Sequence, residues 1–239
     1  MIKVAQCWDD GVLNDIKVAE LCRKYNAKAT FNLNPGKHNA ASRITNGWQF
    51  RDTGYYPGKL AWNEVVSVYE GFEVASHGMS HFSAGVVDDK VFVADAVAAR
   101  NVIEDLFQRE CRGFAWPCGK YNDATVEMMK AAGFAYGRTT KYVEQVLPCG
   151  EPLTLHSNCH FMNENFWEIF EKAKPCGVFY FWGHSYEMMD DPALWQAYED
   201  KLKKLNEDPE VEWVNVIDLV TENNGTGKHY NKLLEAQHG

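Results

Sequence analysis

The chain has 239 residues, 46% of them hydrophobic, and a formal charge of −9 at neutral pH. That length suits one large domain or two small ones, and α/β barrels commonly reach it as a single unit. No basic run exceeds Lys201-Leu202-Lys203-Lys204, which argues against nucleic acid and anionic membrane surfaces as partners, since both need a basic footprint.

Seven cysteines are scattered through the chain without CxxC spacing. An odd, dispersed set in a chain of this size reads as reduced thiols, not as a disulfide frame. No segment approaches the ~20 apolar residues of a membrane span. The sequence opens on a strand pattern with no charged-then-apolar leader, for which a cytoplasmic protein is the simplest expectation and the mature form of a secreted one the alternative. Nothing in the pattern speaks to oligomeric state.

In chain order, Ile2-Lys3-Val4-Ala5-Gln6-Cys7-Trp8 alternates as a strand and leads into Asp9-Asp10-Gly11. Residues 14–25 have a helical face of Ile16, Ala19, Leu21 and Cys22. A second strand is expected over 28–33. Residues 34–59 show no clear element but hold Trp48, Phe50, Tyr55 and Tyr56; a stretch this long is usually functional or disordered. Its aromatics either stack on sugar rings or cover the core.

A helix is expected over 60–70. The run Phe72-Glu73-Val74-Ala75-Ser76 then delivers His77-Gly78-Met79-Ser80-His81. Residues 88–109 form the longest helical stretch, with Val91, Ala94, Ala98, Val102 and Leu106 in register. Gly113-Phe114-Ala115-Trp116 is a short strand stopped by Pro117. Asp123 is expected to cap a helix that Gly133 ends. Strands are expected over 135–139, 153–156 and 211–216, and helices over 165–174 and 193–205. The run 177–182 is the most buried strand of the pattern and ends before His184. This alternation predicts an α/β fold with a parallel sheet, open or closed. From residue 223 the chain reads as a polar tail with a short helix, and Asn224-Gly225-Thr226 is a glycosylation motif only in a secreted protein.

Chemistry-bearing residues fall at strand ends. Two histidines plus one aspartate match the three protein ligands of a catalytic zinc site, and the spare aspartate is free to act as a base. The plainer reading of Asp9-Asp10-Gly11 is a turn or cap. Histidines four apart share a face if their segment is helical, and alone are more often surface or core residues. The turn at Pro117-Cys118-Gly119 can aim a backbone N–H into a cleft. His184 is a candidate general acid with Glu187 to orient it; the alternative is a structural histidine bonded to a loop carbonyl.

The order Asp-Asp-Gly, His-x-x-x-His, a Pro-x-Gly turn and a late strand ending in His resembles the polysaccharide deacetylases (carbohydrate esterase family 4). The resemblance runs over residues 2–220 or so, with 1–222 as the catalytic domain and 223–239 as a tail. It implies a single-domain irregular (β/α)7-type barrel that removes acetyl groups from N-acetylated sugars with a divalent metal. Zn2+ is the first expectation, with Co2+, Ni2+ or Mn2+ as alternatives. It further implies Asp9 as general base, Asp10, His77 and His81 as metal ligands, the Cys118 N–H as oxyanion donor and His184 as the acid that protonates the departing amine. A bound ion lowers the pKa of water from ~16 toward ~7, so an ordinary carboxylate suffices as base.

Trp48, Trp116, Pro117, Tyr186 and Glu187 are the expected substrate contacts, and a small carbohydrate is the expected partner. Three departures from the family pattern stand out, one of them Cys118 in place of the usual aromatic, which removes one groove wall. The third-motif arginine is replaced by Ala115, and Arg138, at the end of the next strand, is the candidate to reach Asp9 in its place, since neighbouring barrel strands present their ends to one cleft. The fourth-motif Asp-Trp is missing, which leaves Glu187 as the partner of His184. The 179–187 segment resembles a bacterial subgroup of deacetylase-like proteins. Two other readings stay open: a hydrolase of another amide, such as a cyclic imide or ureide, and a non-catalytic carbohydrate-binding homologue.

Overall fold

A computed structural model describes residues 1–144 and 150–220. Nine strands form one sheet, in the order β8-β7-β6-β5-β2-β1-β10-β9, with β11 also paired to β1. These are β1 (Ile2–Asp9), β2 (Thr30–Leu33), β5 (Glu73–Ser76), β6 (Gly113–Ala115), β7 (Tyr136–Tyr142), β8 (Leu155–Ser157), β9 (Cys159–His160), β10 (Val178–Gly183) and β11 (Val211–Trp213). Every pairing in this sheet is parallel. Helices α1 (Asp15–Lys24), α2 (Val65–Val68), α3 (Asp89–Phe107), α4 (Asp123–Ala131), α5 (Phe166–Ala173) and α6 (Pro192–Glu207) surround it. This is the expected irregular barrel.

The sheet nearly closes. Its two edge strands, β8 and β9, are consecutive in sequence and separated only by Asn158. The Asn158 N–H donates to the Tyr180 carbonyl at 2.6 Å, and its Oδ1 accepts the Tyr180 N–H at 2.7 Å. The side-chain amide thus takes the place of a peptide group where the chain leaves one edge for the other.

Strand alternation sorts the residues into two faces. Ala5 and Cys7 of β1 join Ala75, Tyr136, Val178, Tyr180 and Trp182 in an inner cluster. Val4, Trp8, Phe31, Leu33, Val74, Phe179 and Phe181 join the helices in an outer one. A third cluster, including Phe92, Phe114, Trp116, Met129 and Phe134, lies beneath α3 and α4. The inward series therefore run Ala5-Cys7-Asp9, Thr30-Asn32, Tyr136-Arg138 and Val178-Tyr180-Trp182, and each ends toward the same mouth of the barrel.

Several local expectations are corrected. Residues 34–59 contain a small antiparallel sheet of β3 (Ile44–Thr45) and β4 (Gly58–Lys59). The helix expected over 60–70 shrinks to a 3-10 turn and the four residues of α2, because Gly71 takes a left-handed φ of 83° and turns the chain into β5. The cap of α4 is Asn122, whose Oδ1 accepts the Thr125 N–H at 2.8 Å; Asp123 is the first helical residue. A 3-10 turn takes Pro152–Thr154, so β8 begins at Leu155, and another at Val216–Leu219 follows the shortened β11. The six described cysteines are free; Cys149 and the tail from residue 223 lie outside the described residues. Among the described residues no helix is long and apolar enough to cross a membrane.

Candidate active site

The strand ends open on a cleft of about 600 Å3 lined by Asp9, Asp10, His77, His81, Cys118, Arg138 and His184, with Trp48, Trp116, Trp182 and Tyr186 as its aromatic walls. Adjacent residues of a strand point to opposite faces, so Asp9 and Asp10 should not share a cleft. Asp10 departs from the strand with a φ of +83°, and Gly11 follows at +62°. This costs on the order of 1–3 kcal/mol at a non-glycine residue and turns both carboxylates the same way.

Asp9 is almost fully buried. Its Oδ2 meets the Arg138 guanidinium and its Oδ1 accepts from Asn32 Nδ2 at 2.7 Å. Burial opposes its charge, but Arg138 first, then His77, His184 and the Asn32 bond, hold the carboxyl far below the ordinary range. Arg138 is itself buried and stacks over Trp182 at 4.4 Å, with its pKa raised by Asp9 against the effect of burial. The structure thus brings Arg138 to Asp9.

Asp10, His77 and His81 present ligand atoms that all lie within 4.8 Å of one another. The histidines do not lie on a helix, as a shared face would require. They sit in a turn in which Gly78 (φ +77°) and His81 (φ +59°) are left-handed, and their rings meet edge to face at 4.8 Å. Asp95 of α3 holds this turn by accepting the Ser80 N–H on its carboxylate at 3.1 Å and the Met79 N–H on its carbonyl at 3.3 Å. His77 Nδ1 lies 2.8 Å from the Ala115 carbonyl, which makes Nδ1 the donor and leaves the Nε2 lone pair facing the cleft. Burial pushes His77 down to about 4, so it is neutral, as a ligand must be. Asp10 stays ionised despite burial, supported by Lys59, His184, His77 and His81. Lys59 Nζ donates to the Asp10 carbonyl and lies 3.9 Å from its Oδ1. Two imidazoles and a carboxylate on one side of an open cleft fit a divalent ion.

His184 continues the inward series of β10. Its Nε2 lies 3.9 Å from both Asp9 Oδ2 and Asp10 Oδ2. Burial disfavours its charge, but Glu187, Asp9 and Asp10 outweigh burial and raise its pKa. Cys118 is exposed in the cleft with a φ of +56°. The turn is tight because Gly119 (φ +65°) packs on Thr140, where a Cβ would lie 2.1 Å from Oγ1.

The expected substrate contacts divide. Trp48 stands on the rim, 45% exposed, edge-on to Tyr186 at 5.4 Å, and Tyr186 tilts against His184 at 4.9 Å. Trp116 forms the cleft floor, stacked on Phe92 and bonded through Nε1 to the Leu153 carbonyl at 2.7 Å. Pro117 is buried outside the lining, and Glu187 lies behind His184 and not in the cleft. Their expected contact with substrate is therefore corrected: one supports a turn, the other a histidine. Of the open question on the 34–59 aromatics, Trp48 faces the cleft, while Tyr55 is tied down by its hydroxyl donating to Asn14 Oδ1 at 2.8 Å.

Sequence reasoning missed Asn32, Asn34, Lys59, His160 and Trp182. Asn32 and Asn34 carried a signal, as amides spaced two apart at the end of an otherwise apolar strand; Asn34 Nδ2 donates to the His77 carbonyl at 2.6 Å. Lys59 and His160 lie in or beside two-residue strands, too short to give a periodic signal.

The polysaccharide deacetylase family profile matches residues 2–137, more than half of the chain. No curated protein matches. Among solved structures, the peptidoglycan deacetylase PdaC from Bacillus subtilis shares 16% identity at a TM-score of 0.54, over 99% of this chain and 95% of its own. A family 4 acetyl xylan esterase from Clostridium thermocellum, in complex with a cobalt ion, shares 15% at 0.54, over 91% and 89%. A family 4 pseudoenzyme from Bacillus anthracis shares 15% at 0.55, over 92% of this chain and 66% of its own. The chain spans 55% of the length of the Streptococcus pyogenes deacetylase PplD. At these identities the likeness is one of fold.

Proposed function

Since the chain belongs to the polysaccharide deacetylase family, we propose that it is a divalent-metal-dependent hydrolase that removes acetyl groups from an N-acetylated sugar or short oligosaccharide. The observation that carries this reading is the buried Asp9 carboxylate, kept charged by Arg138 and aimed into the cleft that holds Asp10, His77, His81 and His184. Fold alone cannot carry it, because a pseudoenzyme shares the fold.

A divalent ion held by Asp10, His77 and His81, zinc being the first choice, supplies Lewis acidity that polarises an amide carbonyl and acidifies water. Asp9 accepts the proton of the attacking water. Arg138 and Asn32 hold both of its oxygens, so its aim does not depend on the ion. The Cys118 amide donates to the oxyanion; loss of one such donor costs on the order of 100- to 1000-fold. His184, with Nε2 facing the cleft, gives its proton to the departing amine, without which an amide leaves poorly. Trp48 and Tyr186 offer the apolar faces against which a pyranose ring packs.

The test is acetate release from a panel of N-acetylglucosamine mono- and oligosaccharides, by protein stripped with a chelator and reloaded with zinc or cobalt. Release that follows metal loading supports the reading and ranks chain lengths. No release from any member, with one metal bound per chain, rejects it in favour of another amide or of a binding role.

A further inference from the structure

Behind His184 lies a second group of ligand-type residues, His160, His184 and Glu187, whose donor atoms are also within 4.8 Å of one another. We propose that His160 is a positioning residue that acts through Glu187 to orient His184. The inference rests on the hydrolase reading for its consequence, but not for its geometry.

His160 ends β9, opposite Trp182 of β10. Its Nδ1 accepts the Met162 N–H at 3.2 Å. That fixes the tautomer, because the ring proton must then sit on Nε2. Nε2 lies 2.7 Å from Glu187 Oε2 and donates to it. The same oxygen accepts the His184 backbone N–H at 3.1 Å and lies 3.7 Å from His184 Nδ1. His184 Nδ1 is buried and makes no hydrogen bond among the described residues, so Glu187, 3.7 Å away, is the acceptor poised for its proton once the ring turns slightly. Gly183 permits the approach of the two strands, since a Cβ there would lie 2.2 Å from Phe161 and 3.2 Å from His160 Nε2.

The short contact also decides between a relay and a metal site. Two ligand atoms bound to one zinc at ~2.0–2.2 Å in tetrahedral geometry stand roughly 3.4 Å apart. A 2.7 Å N···O separation leaves a proton between the groups, not an ion. Two donors, the His160 ring and the His184 amide, therefore hold one carboxylate oxygen in place. Without His160, Glu187 is free to turn toward the exposed Arg51, whose guanidinium already lies 4.0 Å from Oε1. His184 would then lose the partner that keeps Nδ1 protonated and Nε2 directed at the cleft.

The test compares wild type with His160→Ala, His160→Gln, Glu187→Gln and the His160→Ala/Glu187→Gln double variant. Glutamine can place a donor near the former Nε2. Long-range 1H–15N correlation reads imidazole tautomers without any substrate. It should find His160 protonated at Nε2 and His184 carrying an Nδ1 proton in addition to the Nε2 proton that it gives up in turnover, with the His184 Nδ1 signal lost in His160→Ala and kept in His160→Gln. On an acetylated substrate, His160→Ala should lose about 10- to 100-fold in kcat at a KM near wild type. His160→Gln should recover most of it, and the double variant should be no slower than Glu187→Gln alone. An unchanged His184 tautomer in His160→Ala, additive losses in the double variant, or a second equivalent of zinc that disappears with His160 would overturn the proposal. A wild type that turns over nothing would remove the hydrolase reading, and the imidazole signals would still decide the positioning.

Discussion

Arg138, four strands from Asp9 in the sheet order, crosses the interior of the barrel to pair with it. Both side chains are almost fully buried, and the guanidinium is sandwiched between the carboxylate and the face of Trp182. Position 115, where the family resemblance leads one to expect an arginine, holds Ala115, and Arg138 is the proposed substitute one strand away. Ala115 pairs with Arg138 in the β6–β7 register, so the replacement comes from the neighbouring strand at the same level.

Arg138→Ala removes one partner of a buried ion pair and strands the other. Such a break typically costs about 3–5 kcal/mol of stability. The variant should bind metal, because none of Asp10, His77 or His81 depends on Arg138, but should lose most of its turnover. Denaturant unfolding, metal analysis and acetate release check the three parts. A rate equal to wild type would show that Arg138 does not serve Asp9.

Asp10→Ala removes the only carboxylate of the candidate ligand set and should abolish both metal binding and activity. Equilibrium dialysis with zinc measures this. A variant that keeps one metal per chain would remove Asp10 from the set.

Asp15 offers a prediction about pH. Its carboxyl is buried between Ser185 and Tyr69, with Tyr69 OH donating at 2.7 Å, and burial pushes it up to about 7 from an ordinary 3.8. The folded state therefore binds the proton more tightly than the unfolded chain. The associated stability is fully present below about pH 4 and is lost as pH rises through about 7, by at most about 4 kcal/mol. Asp15→Asn removes the titration. The stability difference between wild type and Asp15→Asn should shift in favour of the variant from pH 5 to pH 8, as read by thermal melts. Parallel curves over that range would contradict the assignment.

The parity of the strands was legible in the sequence. Ala5-Cys7-Asp9 and Val178-Tyr180-Trp182-His184 can be read as inward series before any coordinates, and they predict which residues share a cleft. Asp10 could not be placed that way, because its position depends on a left-handed backbone that alternation forbids. The His77–His81 pair was legible as a pair but not as a turn, since four-residue spacing mimics a helix. His160 was invisible: its strand has two residues, and the acid that it holds arrives 27 positions later, after a helix and another strand. Trp48 was legible as an aromatic in a long connection, but the β3–β4 pairing that sets it on the rim is too short to signal itself.

The central claim is that Asp9 acts on substrate in a cleft whose metal is held by other residues. The most direct measurement is metal content and acetate release, made side by side on wild type and Asp9→Asn. The account predicts one metal per chain in both, with release from wild type and a loss of roughly 100- to 10,000-fold in the variant, the range for a general base. Equal release from the two proteins, or one metal per chain in both with no release from either, would contradict it.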